Sequence, residues 1–156
     1  MRAIYLDTEF TQLAYDRQLI SLALVDPAGA EFYVELIDTW QEDDCSTFVL
    51  DEVLPKLDPE RYGMPAAQAR EALHAFLSAL GEVEIVGDAL AWDWPLLIGL
   101  LAPLGLPGNV SGCRQVDDPL EALFELEEPV PHHALLDARL ICALCEGLPL
   151  PSLTLD

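Results

Sequence analysis

Short blocks rich in β-forming residues dominate the first third of the chain, and helical spacing takes over afterwards. Ala3 to Asp7 reads as a first strand, and Leu19-Ile20-Ser21-Leu22-Ala23-Leu24-Val25 as a second. Asp26-Pro27-Ala28-Gly29-Ala30 carries the signature of a turn. Glu31-Phe32-Tyr33-Val34-Glu35-Leu36 follows as a third strand, and short turns favour antiparallel neighbours. An irregular acidic stretch, Asp38 to Asp44, separates this meander from the helical region.

Val49, Val53 and Leu54 recur at helical spacing, which predicts a short helix from Ser46 to Leu54 that Pro55 and Pro59 interrupt. The clearest helix runs from Ala66 to Leu80, with an apolar stripe of Ala69, Leu73, Phe76, Leu77 and Leu80 and with Gly81 as its C-cap. Glu84 to Gly87 reads as a fourth strand. A helix is expected from Asp93 to Leu101, with Asp93 as N-cap, and a strand from Val110 to Val116. Asp118 and Pro119 predict a helix start, as N-cap and first helical residue. A last helix runs from Ala134 to Cys145, with Gly147 after it. Three strands, then alternating helices and strands, make an α/β layered domain whose early strands are antiparallel and whose later ones are joined by helical crossovers.

The length, 156 residues with 52% hydrophobic, suits one domain with a real core. No run of 18 or more apolar residues occurs, and the stretch Met1 to Asp7 lacks the layout of a signal peptide. The expectation is a soluble, cytoplasmic protein. Cys142 and Cys145 form a C-x-x-C, but inside a helical pattern that puts both thiols on one buried face, and no second C-x-x-C completes a zinc site.

Charge alters the picture most. There are 28 Asp and Glu against 7 Lys and Arg, a formal net charge of -21, and Lys56 is the single lysine. Proteins that grip long nucleic acid present basic patches. This balance disfavours such a grip and leaves short or end-bound oligonucleotides, with bound cations supplying positive charge. It also motivates a non-enzymatic alternative, an impaired binding module or an acidic mimic of nucleic acid.

Against that background three groups of residues carry candidate chemistry. Asp7 and Glu9 lie two apart at the end of the first strand, so both point to one side. Their repulsion would raise at least one pKa, and a hard divalent cation relieves it. Asp93 follows the fourth strand beside Trp92 and Trp94. His132 and His133 precede the last helix, and Asp137 lies in its first turns, where a buried acid requires a partner.

In this order and spacing the chain resembles the DEDDh 3′–5′ exonuclease superfamily, through Asp7-Thr8-Glu9, Asp93 and His132-x-Ala134-x-x-Asp137-Ala138. It is most similar to the compact bacterial exoribonucleases of the ribonuclease AS type, through Tyr5-Leu6-Asp7-Thr8-Glu9-Phe10, Leu19-Ile20-Ser21-Leu22 and Phe48-Val49-Leu50-Asp51-Glu52-Val53-Leu54-Pro55-Lys56-Leu57. The resemblance implies a ribonuclease H-like α/β fold, a five-stranded mixed sheet flanked by helices. It implies two divalent ions, Mg²⁺ or Mn²⁺, held by Asp7, Glu9, Asp93 and Asp137. Asp7 would bridge both ions, Glu9 and Asp137 would complete one site, and Asp93 would serve the other. His132 would be the general base, selected over His133 because the family's histidine stands five residues before the last aspartate. Phe10 and Thr8 would contact substrate, a single-stranded RNA or DNA 3′ end. Two departures stand out: Asp88 replaces an asparagine common in the family, and Leu136 replaces an acid. Relatives are often homodimers, and the apolar run Leu97-Ile98-Gly99-Leu100-Leu101 offers either a dimer surface or core.

Overall fold

The computed structural model describes residues 1–117, 119–121 and 129–155. Among the described residues six strands form one mixed sheet: β1 (Arg2–Phe10), β2 (Leu19–Val25), β3 (Glu31–Leu36), β4 (Gly63–Met64), β5 (Val83–Gly87) and β6 (Val110–Gln115). Their order is β4-β3-β2-β1-β5-β6. β1, β2 and β3 pair antiparallel as the short turns require, while β5 runs parallel to β1 and β6 parallel to β5. The strand absent from the sequence reading is β4, two residues parallel to β3. A glycine and a methionine wedged before Pro65 carry no alternation for a pattern to reveal.

Five α-helices occur among the described residues: α1 (Thr47–Glu52), α2 (Pro59–Tyr62), α3 (Ala66–Ser78), α4 (Leu90–Leu101) and α5 (Ala134–Glu146). Ser46 caps α1 by accepting from the Val49 N–H, and Asp58 caps α2 in the same way through Arg61. Gly147 ends α5 at φ 67°, the left-handed conformation that glycine adopts without a Cβ penalty. Pro119 opens a single 3₁₀ turn, Pro119–Glu121. The expected cap, Asp118, lies outside the described residues.

The expectation for α4 needs correction. The helix starts at Leu90, so Asp93 is not its N-cap but sits in its first turn, donating its N–H to the Ala89 carbonyl. Pro95 is therefore inside the helix, where it marked no boundary. Without an N–H it leaves the Ala91 carbonyl without its usual helical donor.

The sheet divides the core by side-chain alternation. Ile4 and Leu6 of β1, with Leu22 and Leu24 of β2, pack against α3 and α4. Tyr5, Ala23 and Val25 face the other way, against Ala134, Leu135, Ala138 and Ile141 of α5. Leu97, Leu100 and Leu101 belong to the first of these cores, so packing within the chain takes up most of the apolar run at the end of α4. Cys142 is buried but Cys145 is exposed, contrary to the expected shared face. Three residues turn a helix by about 300°, and in the last turn that offset carries the second thiol past the sheet. No helix among the described residues is long and apolar enough to cross a membrane.

Leu73 sits at the centre of α3 with no exposed surface. Leu73→Ala is expected to destabilise the fold by about 2–5 kcal/mol through lost transfer energy and a residual cavity. Urea denaturation at unchanged slope checks this.

Candidate functional site

The C-terminal ends of the parallel neighbours β1 and β5 lie side by side, the usual place for a site in an open α/β sheet. Alternation along β1 sends Asp7 and Glu9 to the face of Tyr5, the face covered by α5. There Asp137 comes down from the first turn of α5. The opposite alternation sends Thr8 towards α4, and its hydroxyl donates to Asp93 Oδ1 at 2.5 Å. One strand end thus engages two helices on opposite faces of the sheet.

Two groups of carboxylates result. Asp7, Glu9 and Asp137 bring oxygens within 4.8 Å of one another, and so do Asp7, Asp88 and Asp93. Asp7 is common to both. Burial, then repulsion from Asp93, Asp137 and Glu9, holds the Asp7 carboxyl well above the usual range. Glu9 is raised in the same way by burial and by Asp137. Burial pushes Asp93 and Asp137 up to about 7, against the hydrogen bond from Thr8 in the first case and from the His133 N–H in the second.

These acids fit divalent cations. Asp7 Oδ2, Asp93 Oδ2 and Asp137 Oδ1 are buried and have no hydrogen-bond partner among the described residues. Buried polar atoms are normally satisfied, and an orphaned carboxylate oxygen beside other carboxylates is a ready ligand for a hard ion such as Mg²⁺ or Mn²⁺. Neither group contains a histidine or a cysteine, and oxygen-only donors select against softer metals.

His132 directly precedes His133, the N-cap residue of α5, and has φ 53°, a left-handed backbone uncommon for residues other than glycine. Its ring meets Phe48 of α1 edge-on, centroids 4.9 Å apart. Burial, and then the charge of Lys56, lower its pKa below the ordinary histidine value. Lys56 also donates its ammonium to the Pro131 carbonyl, tying the segment before α5 to the region of α1.

His133 has a different role from a surface or substrate contact. It is 2% exposed, and its ring nitrogen Nε2 lies 3.1 Å from the Tyr33 hydroxyl. Tyr33 in turn donates to Glu35 Oε2 at 2.6 Å, so the imidazole Nε2 is left to donate to the tyrosine oxygen. The Asp58 N–H donates to Glu35 Oε1 at 2.8 Å. Burial brings the His133 pKa down to about 4, which keeps the ring neutral. The His133 N–H donates to Asp137 Oδ2 at 3.2 Å. This buried chain from β3 therefore anchors the residue that both follows His132 and orients Asp137. Sequence pattern missed Tyr33 and Glu35, although an acid alternating with apolar residues in β3 was the available signal.

Phe10 stacks on Trp92 with centroids 5.8 Å apart and planes 14° from parallel. The Arg17 guanidinium lies 4.8 Å from the Trp92 ring and donates to the Trp92 carbonyl at 2.6 Å. Arg17 also lowers the Asp93 pKa by its charge. The polar loop around Arg17 gave no pattern from which to identify it. Beside Glu9, a cavity of about 290 Å³ is lined by Phe10, Leu13, Phe48 and Val49 among others. Thr8, expected at the substrate, is instead 4% exposed with its hydroxyl engaged by Asp93, because alternation points it into the α4 side.

No family model matches the chain, and no curated protein matches it. Solved structures do. The chain is similar to the Neurospora crassa Pan2 catalytic unit, comprising protease and nuclease domains, with TM-score 0.57 and 18% identity over 93% of this chain and 26% of that one. It is similar to the RNase domain of the yeast Pop2 protein, with TM-score 0.57 and 15% identity over 82% of this chain and 66% of that one. At such identities the likeness is one of fold, and the fold is the ribonuclease H-like α/β arrangement, with six strands where five were expected.

The raised carboxyls set a direction for stability. A carboxyl whose pKa is higher in the native than in the unfolded state binds protons more tightly when folded. Its contribution is full below about pH 4 and lost as pH rises through the native value, about 7 for Asp93 and Asp137. Above pH 6.5 the histidines, lowered in the native state, no longer oppose this trend. The melting temperature of the metal-free chain is therefore expected to fall between pH 6.5 and 8.5. Mn²⁺ at a hundred times its Kd should restore about 2.7 kcal/mol, roughly 5–11 °C. Differential scanning fluorimetry with and without chelator measures both effects, and a metal-free melting temperature rising over that range would contradict them.

Proposed function

We propose that this chain is a metal-dependent 3′–5′ exonuclease of the DEDDh type, akin to the ribonuclease AS-type exoribonucleases. The observation that carries the reading is the convergence of Asp7, Glu9, Asp93 and Asp137, with buried oxygens lacking partners, on a ribonuclease H-like sheet. Asp7, Glu9 and Asp137 would hold one divalent ion, and Asp7 with Asp93 would hold the other. When bound, the ions supply the positive charge that stabilises attacking and leaving oxygens in an in-line displacement at phosphorus.

The chain's own residues do the rest. His132 takes a proton from the attacking water. Its lowered pKa keeps the imidazole neutral near pH 7 and so able to accept. The His133–Tyr33–Glu35 chain fixes the start of α5, from which both His132 and Asp137 project. Thr8 orients Asp93. Phe10 contributes an apolar wall to the cavity beside Glu9, which has the volume to take the terminal nucleoside. With a net charge of -21, the surface adds little phosphate attraction, which favours short or end-bound single strands of RNA over long duplexes.

The products are nucleoside monophosphates released from the 3′ end. A 5′-labelled RNA oligomer is expected to shorten stepwise with Mg²⁺ or Mn²⁺ and to stay intact with chelator. No release from any RNA or DNA oligomer would reject the reading in favour of a binding module. His132→Ala should lower kcat by about 10²–10⁴-fold with an unchanged melting temperature. Near-normal turnover of that variant would reject the general-base assignment.

A further inference from the structure

The second carboxylate group contains an acid that the four-residue set does not require. Asp88 directly follows β5. Tyr5 pairs with Val86 on the neighbouring parallel strand, and Asp7 and Asp88 each lie two residues further along the chain. The oxygens of Asp7, Asp88 and Asp93 converge within 4.8 Å.

The local structure holds this acid in place. Gln115 of β6 donates to the Asp88 carbonyl, donates to the Val116 carbonyl at 2.9 Å, and accepts the Leu90 N–H at 3.0 Å. It thus clamps the turn between β5 and α4. Gly87 lets that turn pass close, since a Cβ there would meet Leu90 Cδ2 at 2.8 Å. The turn is therefore fixed from both sides, and Asp88 with it.

An acid held here adds repulsion to three acids that are already raised, Asp7, Asp93 and Asp137. Among them Asp93 is 2% exposed and keeps Oδ2 without a partner, as does Asp7. A bound cation would turn this repulsion into attraction.

We propose that Asp88 is a direct ligand of the second divalent ion, which is held by Asp7, Asp88 and Asp93. This rests on the two-metal reading above and adds a fifth carboxylate to it. The first ion, at Asp7, Glu9 and Asp137, does not involve Asp88. An extra anionic oxygen strengthens the second site for hard ions even before substrate phosphate arrives. In a chain so short of cations, a preloaded ion offers the phosphate its positive charge.

Mn²⁺ alone, titrated at pH 7.5 and followed by electron paramagnetic resonance of the free ion, counts bound ions and yields their Kd values. The wild-type chain is expected to bind two. Asp88→Asn, which keeps the shape of the side chain, should leave one Kd unchanged and weaken the other roughly ten- to hundred-fold or more, since loss of even an outer partner of a metal site costs that much. Asp137→Asn should weaken the other ion instead. Melting curves at pH 5 establish that both variants fold. Binding by Asp88→Asn that matches wild type overturns the inference and leaves the exonuclease reading standing. Equal weakening of both ions also overturns it, because it marks a distant charge rather than a ligand. Failure of the wild-type chain to bind any Mn²⁺ overturns both.

Discussion

Mutual repulsion among buried carboxylates is the constraint around which this site is arranged. The ends of β1 and β5 and the first turns of α4 and α5 bring Asp7, Glu9, Asp88, Asp93 and Asp137 together, and their oxygens form two groups sharing Asp7. Folding alone gives little relief: the acids respond by keeping protons, which is why their pKa values rise. Such an arrangement is costly unless a counter-charge arrives, and oxygen-only donors define what kind of cation that is. The structure is organised to sustain the conflict, with a hydrophobic core on each face of the sheet.

The scarcity of positive charge sharpens this. Of 7 basic residues, Lys56 and Arg17 act closest to the acids, and both turn side-chain donors onto backbone carbonyls, at Pro131 and at Trp92. They moderate the carboxylates electrostatically, Lys56 at Glu9 and Asp137, Arg17 at Asp93, while mainly tying loops together. Neither makes a basic track along the surface. On the proposed reading, attraction for phosphate would come from ions held by these acids, which fits recognition of a chain end better than of a long backbone.

Positioning falls to neutral groups. Thr8 engages Asp93, and the His133–Tyr33–Glu35 chain holds the start of α5 by hydrogen bonds that need no mobile charge. Keeping His133 uncharged through burial avoids a second cation competing near Asp137. The left-handed backbone at His132 is sustained between two anchored neighbours, Pro131 through Lys56 and His133 through Tyr33. Backbone strain of this kind persists where surrounding contacts over-determine it, and here it sits at the proposed base.

Much was legible from the residues alone. Strands β2 and β3 and the stripe of α3 follow from periodicity, because their neighbours in sequence are also their environment. The pairing of Asp7 with Glu9 on one face follows from the two-residue repeat of a strand. Hidden from the sequence were β4, the true start of α4, the exposure of Cys145 and the roles of Thr8, Tyr33 and Glu35. Most of these depend on a partner far along the chain: β3 for β4, Gln115 for the turn before α4, Asp93 for Thr8 and His133 for Tyr33. Local pattern determines which face a side chain takes. Which groups meet across that face is decided only when parallel strands align in register and helices dock on the sheet, because the energies that matter here, desolvation and charge repulsion, depend on distance in space and not on distance along the chain.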